Sequence, residues 1–131
     1  MPRRVIRTED APSPGGCYSQ AIEANGFVFT ASLAGIDPKT GKLVSGGIEP
    51  QVRQALDNMD AILKAARTSL ENVTQITAYL RSFDDFGAYN KAYSEYFDVT
   101  MAPARITVEG GKYPGEMAVQ FAAIALLPDD A

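Results

Sequence analysis

The sequence predicts an α+β fold in which a mixed β-sheet carries two helices on one face. Two observations support this prediction: several short stretches have the alternating or apolar pattern of strands, and two others repeat their apolar residues at helical spacing. These elements follow the order strand, hairpin, helix, strand, helix and two strands, which is typical of the α+β class. Two helices shield only one face of such a sheet, so the other face needs a different cover.

The first third of the chain predicts three strands. Residues 3–8 suit a short edge strand, and a loop rich in proline and glycine follows over residues 11–16. The next strand ends at Asn25-Gly26, a dipeptide typical of a tight hairpin turn in which both residues adopt positive φ. The returning strand, residues 27–31, is continuously apolar. We therefore expect it to be a central strand that is covered on both faces or packed against another subunit.

The most regular helical pattern follows a turn at residues 37–41 and a surface loop that extends to about Gly47. It begins near Glu49, and Pro50 lies where a first-turn proline is tolerated. At its far end Arg67 stands where a glycine is usual, so a left-handed backbone there is expected to cost about 1–2 kcal/mol. The apolar residues at helical spacing are Val52, Leu56, Met59, Leu63 and Ala66.

A strand and a second helix are predicted next. Residues 73–80 alternate as in a half-buried strand, and Ser82 with Asp85 resembles a capping box that begins the helix. Asn90 borders the inner face of this helix, so it must form hydrogen bonds if it is buried, and we expect it near Arg105. An aromatic stripe at this spacing is typical of core packing, and its members are Phe86, Tyr89, Tyr93 and Phe97.

Residues 102–109 and 118–125 predict two strands joined by a loop rich in glycine and proline. Alternation places Arg105, Thr107 and Glu109 on one face of the first strand, which we expect to line a cleft or to meet solvent. The guanidinium of Arg105 offers a planar fork of donors that matches a carboxylate with two hydrogen bonds, as recognition of a small organic acid requires. The alternative is a surface arginine in an ion pair, because exposed arginines are common.

The composition limits the classes of function. We expect the 131 residues to form one domain over residues 1–131. Because the chain has one cysteine, Cys17, and no histidine, we predict no internal disulfide and no metal site, and we expect no cofactor.

A net charge of −4 argues against nucleic acid as a partner. Neither a signal peptide nor a membrane span is recognisable, so we predict a cytoplasmic protein with no membrane partner.

The predicted sheet has one face that the helices leave open. The apolar strands over residues 27–33 and 119–127 would expose a large patch on that face. A closed homo-oligomer is the simplest cover, and a cleft between subunits would be a natural place for Arg105.

Seven short motifs are spread over nearly the whole chain: residues 16–20, 37–41, 56–58, 86–90 with Tyr93, 103–105, 113–114 and 123–125. Together these motifs resemble the RidA (YjgF) family. The resemblance implies a chorismate-mutase-like homotrimer with clefts between its subunits. In the deaminase branch of the family, such clefts hydrolyse reactive enamines and imines, such as 2-aminoacrylate and its 2-imino acid tautomer, to 2-keto acids and ammonia. The ligand implied here is a small metabolite that bears a carboxylate.

The resemblance also implies roles for particular residues. Arg105 matches the arginine that binds the substrate carboxylate, and Tyr18 matches a tyrosine that reaches the cleft from a loop, so these two are the predicted catalytic residues. Without the resemblance, Tyr18 after its glycine-rich loop would more simply fill an interface. Four further residues are predicted to bind substrate: Asn90, Thr107 (a cysteine in many members), Ser32 and Gln120.

The last strand departs from the pattern of the active deaminases. They commonly have a glutamate, thought to position or activate the attacking water, where this chain has Ala122. Gln120, on the same strand face, could hold a water but cannot act as a general base near neutral pH. A second departure is Ala31-Ser32 in place of the common Ser-Gly pair, which narrows the room beside a ligand.

Two functions therefore remain open at this stage. The chain is a deaminase that works by capturing the carboxylate and excluding solvent, or it is a Rid-type protein that binds a small acid without efficient turnover or acts on a pathway-specific substrate. Ribonuclease activity, which is attached to some relatives, is disfavoured by the acidic charge and the absence of histidine.

Overall fold

The structure is a computed structural model that describes residues 2–129, so residues 1, 130 and 131 of the predicted domain lie outside the described part. Within residues 2–129 it has seven strands and two α-helices. The strands are β1 (Arg4–Ile6), β2 (Ala21–Ala24), β3 (Phe27–Thr30), β4 (Leu33–Ala34), β5 (Val73–Leu80), β6 (Ala104–Glu109) and β7 (Val119–Leu126). The helices are α1 (Ile48–Ala65) and α2 (Phe86–Tyr93), and short 3₁₀ turns occupy Leu70–Asn72 and Phe83–Asp85.

All the strands join one mixed sheet. Their order is β1-β2-β3-β7-β5-β6, and β4 pairs with a separate part of β7. Only β5 and β6 are parallel, and the other pairs are antiparallel. The predicted α+β class and mixed sheet are therefore confirmed. Strand β6, which carries Arg105, forms one edge of the sheet.

Both helices pack on the same face of the sheet, as predicted. Helix α1 contacts α2, β4 and β7, and α2 places the rings of Tyr89 and Tyr93 about 6.1 Å from the ring of Phe121 on β7. The close approach of α1 requires Gly35, because a Cβ there would lie 2.7 Å from the Cα of Gln51. The predicted apolar stripe of α1 is buried in full: Val52, Leu56, Met59, Leu63 and Ala66.

Two local predictions about backbone geometry are confirmed. Asn25 and Gly26 have φ values of 56° and 84°, so the hairpin between β2 and β3 makes the expected turn. Arg67, just beyond α1, is left-handed at φ 67°. The amides of Arg67 and Thr68 donate to the carbonyl oxygens of Lys64 and Leu63, which is a Schellman ending with an arginine in the glycine position.

Helix α2 differs from its prediction at both ends. The Ser82 hydroxyl accepts from the amide of Asp84 and caps a 3₁₀ turn, so the α-helix begins only at Phe86. The helix ends at Tyr93, which leaves Phe97 beyond it, although the Phe97 ring still packs 4.7 Å from that of Tyr93. Strand β4 was not predicted, because two residues are too few to show a periodicity.

The face of the sheet opposite the helices, which we call the open face, is uncovered in the single chain. The register of the strands places on it Val5 and Ile22, Phe27 and Phe29, Gln75, Thr77 and Tyr79, Ile106 and Val108, and Gln120, Ala122, Ile124 and Leu126. None of these side chains is charged. Strand β3 is thus covered on one face only, the face that carries the buried Val28, and it is not covered on both faces within one chain. Its packing against another subunit stays a prediction.

No helix within residues 2–129 combines the length and the apolar character that crossing a bilayer requires.

Candidate ligand-binding site

Arg105 lies on the helix-facing side of β6, directly against α2. Its guanidinium carbon is 4.8 Å from the ring centroid of Tyr93, 5.2 Å from that of Tyr89 and 5.8 Å from that of Phe86. These rings come from successive turns of α2 and give the cation a wall of aromatic faces and edges. The predicted polar face of β6 packs partly against α2 and ends at the exposed Glu109, while the apolar side chains Ile106 and Val108 lie on the opposite face. That this polar face lines a ligand cleft stays a prediction.

The guanidinium of Arg105 has one polar partner on α2. Its Nη1 donates a hydrogen bond of 2.9 Å to Oδ1 of Asn90, so Asn90 lies beside Arg105 as expected. None of the ion pairs formed within residues 2–129 involves Arg105. The alternative of a surface arginine in an ion pair is therefore wrong. A half-buried cation without a counter-ion keeps donors for an incoming anion.

Thr107 and Glu109 follow Arg105 on the same face of β6, and both are engaged within the chain. The Thr107 hydroxyl lies 2.8 Å from the hydroxyl of the buried Tyr89. Oε1 of Glu109 accepts a hydrogen bond of 2.8 Å from the amide of Phe83, so this carboxylate caps the 3₁₀ turn before α2. Burial raises the pKa of Tyr89 above its usual value, and its phenol therefore stays protonated at neutral pH.

Tyr93 adds a buried phenol beside the same guanidinium. Its hydroxyl is the one buried side-chain polar atom without a hydrogen-bond partner among the described residues. Burial raises the pKa of this phenol strongly, and the nearby Arg105 charge opposes that rise only in part.

The other predicted site residues, Tyr18, Ser32 and Gln120, line a separate cavity of about 470 Å³. Tyr18 is 55% exposed, and its hydroxyl accepts a hydrogen bond of 3.0 Å from the amide of Gly15 in its own loop. Because that bond uses a lone pair of the phenol oxygen, the phenol proton is left for an external acceptor. Nε2 of Gln120 lies 3.2 Å from Sδ of Met117.

The structure thus places the predicted site residues in two groups. Arg105, Asn90 and Thr107 lie together at the edge of the sheet under α2, and none of them lines the cavity that holds Tyr18. A single chain does not bring the two groups together. Sequence reasoning missed the contacts of Tyr89 with Arg105 and Thr107, because it assigned Tyr89 to the core alone. The available signal was the position of Tyr89 next to Asn90, on a helix face directed towards Arg105.

Ala122 lies on the open face, opposite Thr77 in the register of β7 and β5. It borders a hollow of about 200 Å³ together with Phe29, Gln75, Thr77 and Ile124. The strand residues of the open face include no carboxylate, so no strand side chain near Ala122 on that face is a candidate general base. Among residues 2–129 there is also no cluster of three or more His, Cys, Asp or Glu side chains arranged to hold a metal ion.

This chain is similar to known proteins in three comparisons: with a family model, with individual protein sequences and with solved structures. The family model described as "Endoribonuclease L-PSP" matches residues 8–127. A RutC family protein of Pyrococcus horikoshii is 47% identical over 94% of this chain and 97% of its own length. The human 2-iminobutanoate/2-iminopropanoate deaminase is 38% identical over 95% of this chain and 90% of its own. The crystal structure of RidA from an Antarctic Psychrobacter species superposes with a TM-score of 0.89 at 30% identity, covering 95% of this chain and 99% of that one.

Proposed function

The chain belongs to the RidA (endoribonuclease L-PSP) family, and from that premise we propose that it is an enamine/imine deaminase that hydrolyses short 2-imino acids to 2-keto acids and ammonia. The observation that carries the proposal is the guanidinium of Arg105, which aromatic rings and Asn90 hold in place without a counter-ion within residues 2–129. Relatives at 38% identity that carry the name 2-iminobutanoate/2-iminopropanoate deaminase support the same reaction.

The proposed chemistry begins with capture of the substrate carboxylate. Arg105 holds the acid group with two parallel hydrogen bonds and compensates its charge. Water then adds to the carbon of the C=N bond, and the resulting carbinolamine collapses to a C=O bond with release of ammonia. One water is consumed for each ammonia released, and no redox step occurs. Placement and charge compensation are the main contributions of the protein, since imines of this kind hydrolyse readily.

Tyr18 and Gln120 have roles in the proposed reaction that match their contacts. The Tyr18 phenol, whose oxygen already accepts from the Gly15 amide, can donate its proton to the substrate or to the departing nitrogen. Gln120 can hold the attacking water through its amide, and Ser32 lies in the same cavity. Thr107 contributes through its backbone at the free edge of β6, since its hydroxyl is engaged with Tyr89.

We also propose that the complete site forms between subunits of a homotrimer. The argument is that Arg105 and Tyr18 lie in separate places on one chain, and that the open face of the sheet is uncharged and mostly apolar. Uncovered patches of this kind usually mark an interface, and a closed ring of identical subunits would cover the open face of every copy. The choice of three subunits rests on the resemblance to the family.

A second candidate is a protein that binds small keto or imino acids without efficient turnover. The observation that favours it is Ala122 on an open face whose strand residues carry no carboxylate, because water then has no side-chain general base there. Carboxylate capture by Arg105 would be the same in both candidates.

The experiment that decides is a coupled assay with an amino-acid oxidase, which generates 2-imino acids from short apolar amino acids. The proposal predicts that catalytic amounts of the protein accelerate keto-acid release several-fold. An unchanged rate, together with a crystal that shows 2-oxobutanoate on Arg105, would instead establish the binding protein. An unchanged rate and no bound acid would overturn both candidates. The Arg4→Ala variant is the matched control for loss of Arg105, because Arg4 forms an exposed ion pair with Glu23 on β1 and β2, at the other edge of the sheet from β6.

A further inference from the structure

We propose that Tyr89 is a positioning residue that fixes Arg105 and Thr107 relative to each other on β6. The inference rests on the proposed function to the extent that these two residues are taken to bind the acid. It adds a residue that neither the family resemblance nor the comparisons assign to the site.

Tyr89 contacts both residues with different parts of one side chain. Its ring centroid lies 5.2 Å from the guanidinium carbon of Arg105, and its hydroxyl lies 2.8 Å from Oγ1 of Thr107. Arg105 and Thr107 are two positions apart, so they share a face of β6 and their Cα atoms are separated by about 6.6 Å. The Tyr89 ring and hydroxyl therefore span the interval between the two predicted binding groups.

The side chain of Tyr89 is itself held rigidly. It is fully buried, with the ring of Phe86 at 5.6 Å, that of Tyr93 at 5.9 Å and that of Phe121 at 6.1 Å. A ring fixed on several sides has little freedom to change rotamer. It therefore restricts the positions of the side chains that it contacts. Asn90, the next residue of α2, binds Nη1 of the same guanidinium and limits its rotation further.

Core packing alone does not account for the hydroxyl of Tyr89. A phenylalanine would fill the same space among the three neighbouring rings, and removal of a phenol from water is unfavourable unless it is hydrogen-bonded. The bond to Thr107 meets that need and also fixes the threonine rotamer. Because burial raises the pKa of Tyr89, the neutral phenol and this bond persist through neutral and mildly alkaline pH.

The test compares Tyr89→Phe, Thr107→Val and the double variant with the unchanged protein. Tyr89→Phe keeps the ring beside Arg105 and deletes only the bond to Thr107. Tyr96→Phe is the matched control, because the Tyr96 hydroxyl bonds Asp57 and the carbonyl oxygen of Arg53, away from Arg105. The first measurement is the dissociation constant of 2-oxobutanoate by calorimetry. The second is the hydrogen-exchange rate of the Arg105 Nε–H group in the ligand-free protein by NMR, with the signal assigned from Arg105→Lys.

We expect Tyr89→Phe and Thr107→Val each to weaken binding of 2-oxobutanoate about five-fold, as loss of one hydrogen bond implies. The double variant should be no weaker than either single one, because both remove the same bond. Exchange at the Arg105 Nε–H group should be faster in Tyr89→Phe, because the ring beside the guanidinium is then no longer bonded to β6 through Thr107, and it should be unchanged in Tyr96→Phe.

The proposal is overturned if Tyr89→Phe matches Tyr96→Phe in both measurements, since Tyr89 would then serve packing alone. A change in either measurement that the control lacks supports it. Failure of the proposed function has a different signature: the unchanged protein would bind no 2-oxobutanoate and accelerate no keto-acid release. In that case the exchange rate of Arg105, which needs no ligand, still decides whether Tyr89 positions it.

Discussion

Asn90 on α2 accepts a hydrogen bond of 2.9 Å from Arg105 on β6, and this bond links the second helix to the edge strand of the sheet. The amide oxygen of Asn90 holds the cation without neutralising it. An aspartate at the same place would hold the guanidinium more tightly and would compensate its charge, which would remove its use for an anionic ligand. The helix thus orients Arg105 and leaves its charge available.

Replacement of Arg105 by alanine should abolish acid binding and leave the fold intact. The guanidinium forms no ion pair within residues 2–129 and only one hydrogen bond, and the rings of Tyr89 and Tyr93 that it contacts are held by packing against Phe121, so the fold does not depend on it. We expect the dissociation constant of 2-oxobutanoate to rise at least tenfold, since hydrogen bonds to charged groups contribute about 1.5–3 kcal/mol each. Calorimetry and circular dichroism are the measurements. Full activity in Arg105→Ala would show that the site is assigned wrongly.

The Ala122→Glu variant, which introduces a carboxylate on the open face, should accelerate keto-acid release in the oxidase-coupled assay. The side chain at this position faces the hollow beside Thr77 on the open face, where a glutamate could take a proton from water. General-base catalysis typically contributes about 100-fold or more, so we expect at least a tenfold gain. The gain should be lost as pH falls towards about 4.3, the ordinary pKa of glutamate. Ala122→Gln is the control, and an equal gain in both variants would argue against base catalysis.

A charge on the open face should dissociate the proposed homotrimer. Phe27 is exposed on β3 beside Leu126, away from the hollow at Ala122, and Phe27→Asp would place a carboxylate among apolar side chains of the proposed interface. Sedimentation velocity at low micromolar concentration should show monomers for this variant and trimers for the unchanged chain. Phe83→Asp is the control, because Phe83 is also exposed but lies in the 3₁₀ turn that precedes α2, outside the open face. Monomers of the unchanged chain would refute the assembly.

Glycine at position 67 should stabilise the fold. Arg67 is left-handed at φ 67°, a conformation that costs a non-glycine residue about 1–2 kcal/mol. Part of that gain is offset by the greater freedom of glycine in the unfolded chain, so Arg67→Gly should raise the free energy of unfolding by about 1 kcal/mol. Urea denaturation is the measurement. Lys64→Gly, a substitution within the last turn of α1, should lower stability by about the same amount.

Stability should decline at alkaline pH because of the buried tyrosines beside Arg105. Burial raises the pKa of Tyr89 and Tyr93 above the usual 10.0, so between that value and the raised one only the unfolded chain loses these protons. Unfolding then releases protons, and the free energy of unfolding falls as pH rises above about 10. Tyr93→Phe should reduce this slope in urea titrations between pH 9 and 11. A slope that is the same in Tyr93→Phe would contradict the assignment.

The elements that could be predicted from the sequence are those whose pattern is local. The Asn25-Gly26 turn, the apolar stripe of α1 and the alternation of β5 over residues 75–80 depend on neighbouring residues only, and each is confirmed. The predicted alternation is wrong at Val73, which is buried because the register shifts between Val73 and Gln75. Strand β4 has only two residues, and the start of α2 depends on which amide the Ser82 hydroxyl binds. Such features are decided by tertiary contacts, which no periodicity shows.

The candidate site was predictable residue by residue but not in its arrangement. The alternation of β6 correctly groups Arg105 with Thr107, yet it does not say which face of the strand meets the helices. The polar face does so here, because β6 is an edge strand and α2 brings Tyr89 and Asn90 over it. The separation of Tyr18 from Arg105 likewise follows from the order of the strands in the sheet. Tyr18 precedes β2, and strands β3, β7 and β5 lie between β2 and β6, which carries Arg105.

The lack of a counter-ion at Arg105 has a thermal consequence. A half-buried cation that no carboxylate of residues 2–129 compensates lowers the melting temperature of the empty protein, and any anion that occupies the place restores the difference. We therefore expect common buffer ions such as acetate or formate to raise the melting temperature of this chain, by an amount that grows with the ratio of their concentration to their dissociation constant. Melting temperatures measured in a series of buffers would therefore rank small acids by how well they bind at Arg105.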